Sequence, residues 1–202
     1  MEGASTARDR KAERHQTTRR EVLEVAWRLA AERGLTGWTL GDVAAGVGMR
    51  APSLYVYFAS KNDLYDALFA DGYRQMAEAA DRVDGTGPPL DLLRRVAHFF
   101  VDFCAADAAR YQLLFLRTIP GFEPSPTSYA GAVAMLDRSR EVLAAAGASR
   151  QKELDLWTAL LTGLASQQIS NDPGGNRWRR LTDDAVDMFV ATRITKAKRR
   201  SS

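Results

Sequence analysis

Apolar residues recur along this chain every three or four positions almost throughout, and no stretch alternates apolar with polar residues convincingly enough to make a half-buried strand. The pattern predicts an all-α protein. Val22, Ala26, Leu29 and Ala30 fall on one helical stripe, Val25 widens it, and the hydroxyl of Thr17 or Thr18 is expected to cap the helix N-terminus. Gly34 stands where a C-cap needs a left-handed residue. Thr39 is expected to cap a short second helix from Leu40 to about Val47, Gly48 to end it, and a third helix to run from about Ala51 to Phe58. Ser60 introduces a fourth, over about Lys61 to Arg82.

The run "VDGTGPP" then breaks the periodicity with two glycines and two prolines. Beyond it "LDLLRRVAHFFVDFCAA" and "ARYQLLFLRT" read as helices, "IPGFEPSPTS" as a loop, and "YAGAVAMLDRSREVLAAAG" and "RQKELDLWTALLTGLASQQIS" as two longer helices. "NDPGGNRWRR" interrupts again before a last helix, "LTDDAVDMFVATRIT", whose Thr182 and two aspartates suit a helix start. The expected organisation is a three-helix N-terminal domain, residues 1–62, followed by a larger helical domain, residues 63–202.

With 202 residues, 46% of them hydrophobic, the chain can bury a core without covalent staples. Its single cysteine, Cys104, lies in the apolar run "HFFVDFCAA" and is expected in that core. The N-terminal residues are charged where a secretory signal would be apolar, and no run reaches the roughly 18 apolar residues of a membrane helix, so a cytoplasmic protein with no membrane partner is expected. Net charge is only +3, so where the charges sit says more than their sum. Arg8, Arg10, Lys11, Arg14, Arg19 and Arg20 gather before or at the first apolar stripe, and "RITKAKRR" closes the chain; such runs are either solvated tails or nucleic-acid contacts. The two histidines, His15 and His98, stand in different segments. No metal-ligand spacing, nucleophile elbow or phosphate loop is written in the sequence, so neither enzymatic activity nor a metal or cofactor is expected.

Residues 43–61 carry a more specific signal. A helix-turn-helix needs two short helices crossing steeply at a tight turn, the second presented to the DNA major groove. Ala44 is small where the helices meet, Gly48 tolerates a positive φ at the turn, and Val43, Val47, Met49, Leu54 and Phe58 supply the apolar lock. Pro52 suits the first turn of the second helix, because the N–H it lacks would have no intrahelical partner there. With Leu54 and Phe58 facing inward, Arg50, Ala51, Ser53, Tyr55, Val56 and Tyr57 share the sides and the outer surface. Hydroxyls and a lysine such as Lys61 hold phosphate oxygens, arginine pairs with guanine, and small apolar groups meet the thymine methyl. The same tyrosines also fit a small helical core.

Taken whole, "DVAAGVGMRAPSLYVYFASKNDLYDAL" resembles the DNA-binding domain of the tetracycline-repressor (TetR) family of transcriptional regulators. Ala44, Gly48, Pro52, Leu54, Tyr55, Phe58, Lys61 and Leu64 fall in that family's order and spacing, after a helix ending "AERG" and the "WTL" that opens the second helix. The resemblance covers roughly residues 17–68. It implies DNA contacts from Arg50, Pro52, Ser53, Tyr55 and Tyr57, phosphate contacts from Lys61 and Thr39, and further backbone contacts from Thr17 and Arg20. It also implies a homodimer on a near-palindromic double-stranded DNA operator, most often a repressor, answering to a small apolar effector held by the C-terminal helices.

The C-terminal region has the material for both remaining tasks. Phe99, Phe100, Phe103, Tyr111, Phe115, Phe122 and Trp157 are enough to line an apolar cavity, and equally enough for an ordinary core, with His98 a candidate polar handle. The last two helices are the family's usual dimer interface, where Leu156, Leu160, Gly163, Leu164, Val186 and Phe189 form an apolar face with room for close approach; a monomer core would absorb them as well. The rival to a DNA-binding regulator is a helical interaction or membrane-surface module working through its basic tails. That reading leaves the pattern from Ala44 to Lys61 unexplained.

Overall fold

A computed structural model describes residues 2–194, with side chains from Arg10 onward. The side chain of Arg8 and the terminal basic residues Lys196, Lys198, Arg199 and Arg200 lie outside the described residues. The regular elements within them are all helical: α1 (Glu2–Arg33), α2 (Leu40–Val47), α3 (Ala51–Leu54), α4 (Lys61–Ala80), α5 (Pro89–Ala105), α6 (Ala108–Phe115), α7 (Pro126–Ala145), α8 (Gln151–Asn171) and α9 (Thr182–Phe189). A 3₁₀ turn (Arg179–Leu181) precedes α9, and a π-helical turn (Val190–Ile194) follows it.

Several boundaries depart from expectation, among them the end of α6, at Phe115 rather than Thr118. Thr17 does not cap α1; its hydroxyl donates back to the Glu13 carbonyl at 3.0 Å, and the helix continues upstream through residues that include no glycine or proline between Arg10 and Arg33. Extending a helix already nucleated on a buried stripe costs far less than starting one, so the polar segment stays helical. Regular helix in α3 ends at Leu54 rather than Phe58: the N–H groups of Val56 and Tyr57 bond back to Ser53 and Leu54 at 3.3 and 2.9 Å in tighter i→i+3 turns. Two tyrosines and a β-branched valine are weak helix formers there. Finally, α7 begins at Pro126 rather than Tyr129, since the Ser125 hydroxyl accepts the Ser128 N–H at 3.2 Å and proline fits the first turn.

Burial divides the molecule into two main apolar bodies. One joins α1–α4 through Val22, Ala26, Leu29, Trp38, Val43, Leu54, Phe58 and Leu64, and takes in Leu113 and Leu114 from α6. The other packs Leu93 and Val101 of α5, Leu143 of α7, Leu154, Trp157 and Leu161 of α8, and Val186 and Phe189 of α9. Leu54, Leu64, Leu68 and Leu93 are fully buried, each contributing about 1.5–3 kcal/mol. Cys104 sits at 1% exposure beside Tyr111 and Ala165, and burial pushes its thiol up to about 12. Val186 and Phe189, expected on a face between two copies, are instead 0% and 4% exposed within the chain's own core. Phe189 meets Trp157 edge-on at 5.2 Å, because α9 turns its apolar stripe toward α5 and α8.

Candidate nucleic-acid interface

The turn between α2 and α3 is built by local chemistry. Thr39 caps α2 reciprocally: its hydroxyl accepts the Asp42 N–H at 3.2 Å while the Asp42 carboxylate accepts the Thr39 N–H at 2.7 Å. The Thr39 hydroxyl and backbone bonds hold the Asp42 carboxyl below its ordinary value, with Arg33 adding to them. At the far end Gly48 has φ +79°, and the N–H groups of Gly48 and Met49 return to Ala45 and Ala44 at 3.1 and 2.9 Å. A β-carbon at that φ is strained, so glycine belongs there. The approach of α2 to α1 depends on another glycine, Gly46, where an added Cβ would stand 2.5 Å from Val25 Cγ1. Sequence reasoning placed close approach at Ala44, which is 1% exposed; its missed clue was a glycine inside a helix, where propensity disfavours it.

Around this turn Val43, Ala44, Leu54 and Phe58 are buried, and Val47 and Met49 are half-buried against the same core. The second element therefore presents Arg50, Ala51, Pro52, Ser53, Tyr55 and Val56 outward, with Tyr55 55% and Val56 73% exposed. Thr17 and Arg20 are exposed on α1, where the Arg20 guanidinium reaches the Thr17 hydroxyl at 3.4 Å. Lys61 is folded inward: its ammonium donates to the carbonyls of Trp38 and Thr36 at 2.5 and 3.3 Å and lies 4.3 Å over the Trp38 ring. Desolvation lowers its pKa.

Tyr57 is half-buried and held from α1. The His15 ring stacks on it with centroids 4.7 Å apart and planes at 29°, and Arg19 Nη1 donates to its carbonyl at 2.5 Å while the same guanidinium lies 4.2 Å from the Phe58 ring. His15 did not stand out in the sequence as part of the site, and Arg19 did so only as one member of a basic run. The legible signal is spacing: 15, 19, 22 and 26 continue the buried stripe of α1 two turns upstream.

Two of the cavities in the C-terminal half have aromatic walls. The larger, about 260 Å³, is walled by Tyr73, Met76, Phe99, Phe100, Phe115, Met135 and Trp157, with Ser139, Thr158 and Thr162 among its polar groups and no charged side chain. The other, about 220 Å³, lies under the 116–124 loop against Phe69, Phe115, Phe122 and Tyr129. Phe99, Phe115, Phe122 and Trp157 thus line cavities, whereas Phe103 and Tyr111 do not: the Arg110 guanidinium covers the Phe103 ring at 3.9 Å, and the Tyr111 hydroxyl donates to the Thr162 carbonyl at 3.3 Å. His98 also points elsewhere, its Nε2 3.0 Å from Asp183 on α9. Phe100 lines the larger cavity as expected, while Tyr73, Met76 and Met135 were missed because helical spacing does not separate a cavity wall from a filled core.

Polar contacts tie this half to α1 and α4, the helices on either side of the helix-turn-helix. The Asp66 carboxylate on α4 accepts the Ser125 N–H at 2.7 Å, the Ser125 hydroxyl at 2.9 Å and the Ser128 hydroxyl at 2.7 Å. Burial works to raise the Asp66 pKa, but these three bonds together outweigh it and hold the group below the usual carboxylate value. Farther along α4, Asp71 accepts from Trp27 Nε1 of α1 at 2.9 Å and from Gln75, which accepts from Arg110 of α6 at 2.9 Å. On α8, Leu156, Leu160 and Leu164 are half-buried and Gly163 is exposed, beside Met188 of α9 at 59% exposure. Among the described residues no group of His, Cys, Asp and Glu is placed to hold a metal ion, and no helix is long and apolar enough to cross a membrane.

Residues 22–68 match the family model described as bacterial regulatory proteins, tetR family. The HTH-type transcriptional repressor KstR2 of Mycobacterium tuberculosis is 42% identical over 89 residues, which cover 43% of this chain and 44% of that protein. The HTH-type transcriptional regulator AcrR of Shigella flexneri is 27% identical over 101 residues, 49% of this chain and 47% of AcrR. The chain thus spans less than half the length of these curated relatives. The fold extends further: a protein of unknown function from Rhodococcus sp. RHA1 superimposes with a TM-score of 0.75 at 19% identity over 87% of this chain and 95% of that one. AibR, solved with isovaleryl coenzyme A and operator DNA, does so with a TM-score of 0.67 at 19% identity, over 85% and 97%.

Proposed function

We propose that this chain, whose residues 22–68 match the tetR family of bacterial regulatory proteins, is a ligand-responsive repressor of that family binding a near-palindromic operator as a homodimer. The observation that carries the reading is the segment from Arg50 to Val56, exposed along one side while Leu54 and Phe58 anchor the other in the core. In the bound state Arg50, Ser53, Tyr55 and Tyr57 read or flank base edges, Pro52 packs against the backbone, and Thr17, Arg20, Thr39 and Lys61 meet phosphates. Lys61 does so by turning its remaining N–H outward while its other contacts hold the loop before α2. Residues 1–62 act as the reading head, and 63–202 as the sensing and pairing body. Leu156, Leu160, Gly163 and Leu164, with Met188, form the face on which two copies meet.

The 260 Å³ cavity, aromatic and without a charged side chain, supports a small apolar effector or an apolar part of a larger one. Filling it favours a conformer whose paired reading heads no longer match half-sites one DNA turn apart, and operator affinity falls by at most the ratio of effector affinities for the two states. The rival module reading is disfavoured, because basic tails need no such turn or exposed reading segment.

Selection of bound duplexes from a random pool at about 150 mM salt tests the proposal, since non-specific binding there is only about 10⁻⁴ to 10⁻⁶ M. Enrichment of a near-palindrome is expected. A folded protein that enriches no sequence, yet binds acidic vesicles as well as DNA, would favour the rival.

A further inference from the structure

The reading segment ends in a place its own helix does not stabilise. Regular α3 stops at Leu54, and Tyr57 follows in tight turns, one residue before the anchor Phe58. Its orientation is set from α1. His15 and Arg19 are four residues apart and so share one face of that helix; the first stacks on the Tyr57 ring and the second holds the Tyr57 carbonyl. The register of that face is rigid, because Val22 and Ala26, on the same stripe, are both fully buried. Helix continues unbroken from there through Thr17 to His15.

We propose that His15 is a positioning residue for sequence reading: its ring, with Arg19 fixing the backbone beside it, holds the Tyr57 side chain in the orientation that meets the operator. The inference rests on the DNA-binding reading above. The contact is a ring stack, so its effect comes from dispersion and shape rather than from imidazole charge. An aromatic ring without charge can therefore replace His15, and a charge without a ring cannot. Its role differs from that of a phosphate-binding cation, which would strengthen binding to every sequence alike.

The test titrates the full chain at one salt concentration against its selected duplex and a scrambled duplex of equal length. His15→Ala is expected to weaken the selected duplex about three- to tenfold, the range a lost aromatic pair supplies, and to leave the scrambled duplex within about twofold. His15→Phe should restore selectivity and His15→Lys should not. Once Tyr57→Ala is in place, His15→Ala should add no further loss. Equal losses on both duplexes, rescue by lysine but not phenylalanine, or additive losses in the double variant would each overturn the assignment. Thermal melts accompany the titrations; if His15→Ala melts early, the fully folded His15→Phe and His15→Lys pair decides. A wild-type protein that does not distinguish the two duplexes removes the DNA-binding reading and this inference with it. Wild-type selectivity that His15→Ala leaves intact removes only this inference.

Discussion

Small residues decide whether the reading head assembles. Gly46 lets α2 rest on Val25 of α1, and a methyl group there would stand 2.5 Å from Val25 Cγ1, on a β-branched side chain with little freedom to move. In an open helix Gly→Ala gains up to about 1 kcal/mol. Gly46→Ala should instead lose about 1–3 kcal/mol, the cost of overpacking, and lower the melting temperature. A melting temperature that holds or rises would show that α1 and α2 part without cost. Lys61 illustrates the opposite case, a residue singled out by spacing whose surroundings spacing did not reveal. Nothing in "ASKND" announces that its ammonium will lie over Trp38, some 23 positions earlier.

Between elements, contacts from sequence-distant polar groups take over. Asp66 joins α4 to the start of α7, immediately after the loop that walls the smaller cavity, so movement of that loop reaches the helix that follows the reading head. Asp66→Asn should cost about 1–3 kcal/mol at neutral pH, as expected when hydrogen bonds to a charged acceptor are weakened. The sign of the pH effect follows from the lowered folded-state pKa. The carboxylate's contribution is complete above its unfolded value, about 3.9, and disappears as pH falls through the lower folded value. Urea unfolding should therefore show a constant gap between wild type and variant from about pH 7 to 5 that closes below about pH 4. A gap that widens in acid would mean the carboxylate is not stabilised in the folded state. Elsewhere α5 meets α9 through Arg94–Asp187 and His98–Asp183 at 2.5 and 3.0 Å, and meets the 3₁₀ turn before α9 through Asp102–Arg179 at 2.6 Å. All three are exposed, and pairs of that kind contribute about 0–1 kcal/mol each; they set the register of α9 more than its stability.

At the scale of the whole molecule, the proposed function requires two copies. Val186 and Phe189 are committed to the interior, which leaves the outward side of α8 and Met188 for pairing. Leu160→Glu should split the dimer while leaving the monomer folded, because the charge is placed on a half-buried helix face beside the open Gly163. Sedimentation should report the monomer mass, and affinity for a two-half-site duplex should fall at least about tenfold as the second binding event ceases to be intramolecular. A Leu160→Glu protein that stays dimeric moves the interface elsewhere.

Helix type, the α2–α3 turn and the exposure of Arg50, Ser53, Tyr55 and Val56 follow from the chain itself, because each depends on groups within a few positions of one another. Examples are the Thr39–Asp42 cap, the positive φ at Gly48 and the four-residue spacing of Leu54 and Phe58. The tertiary structure decided what neighbours along the chain could not: that α1 runs past Thr17 to bring His15 onto Tyr57, that Lys61 folds onto Trp38, and that Asp66 holds Ser125 and Ser128. It also separated core from cavity, leaving Tyr111 hydrogen-bonded inside while Phe99 and Trp157 line open space. The physical reason is common to all of these. A period of 3.6 residues says which side of a helix is apolar, but only the packing of other helices determines whether that side is filled, left hollow or met by a partner's polar group.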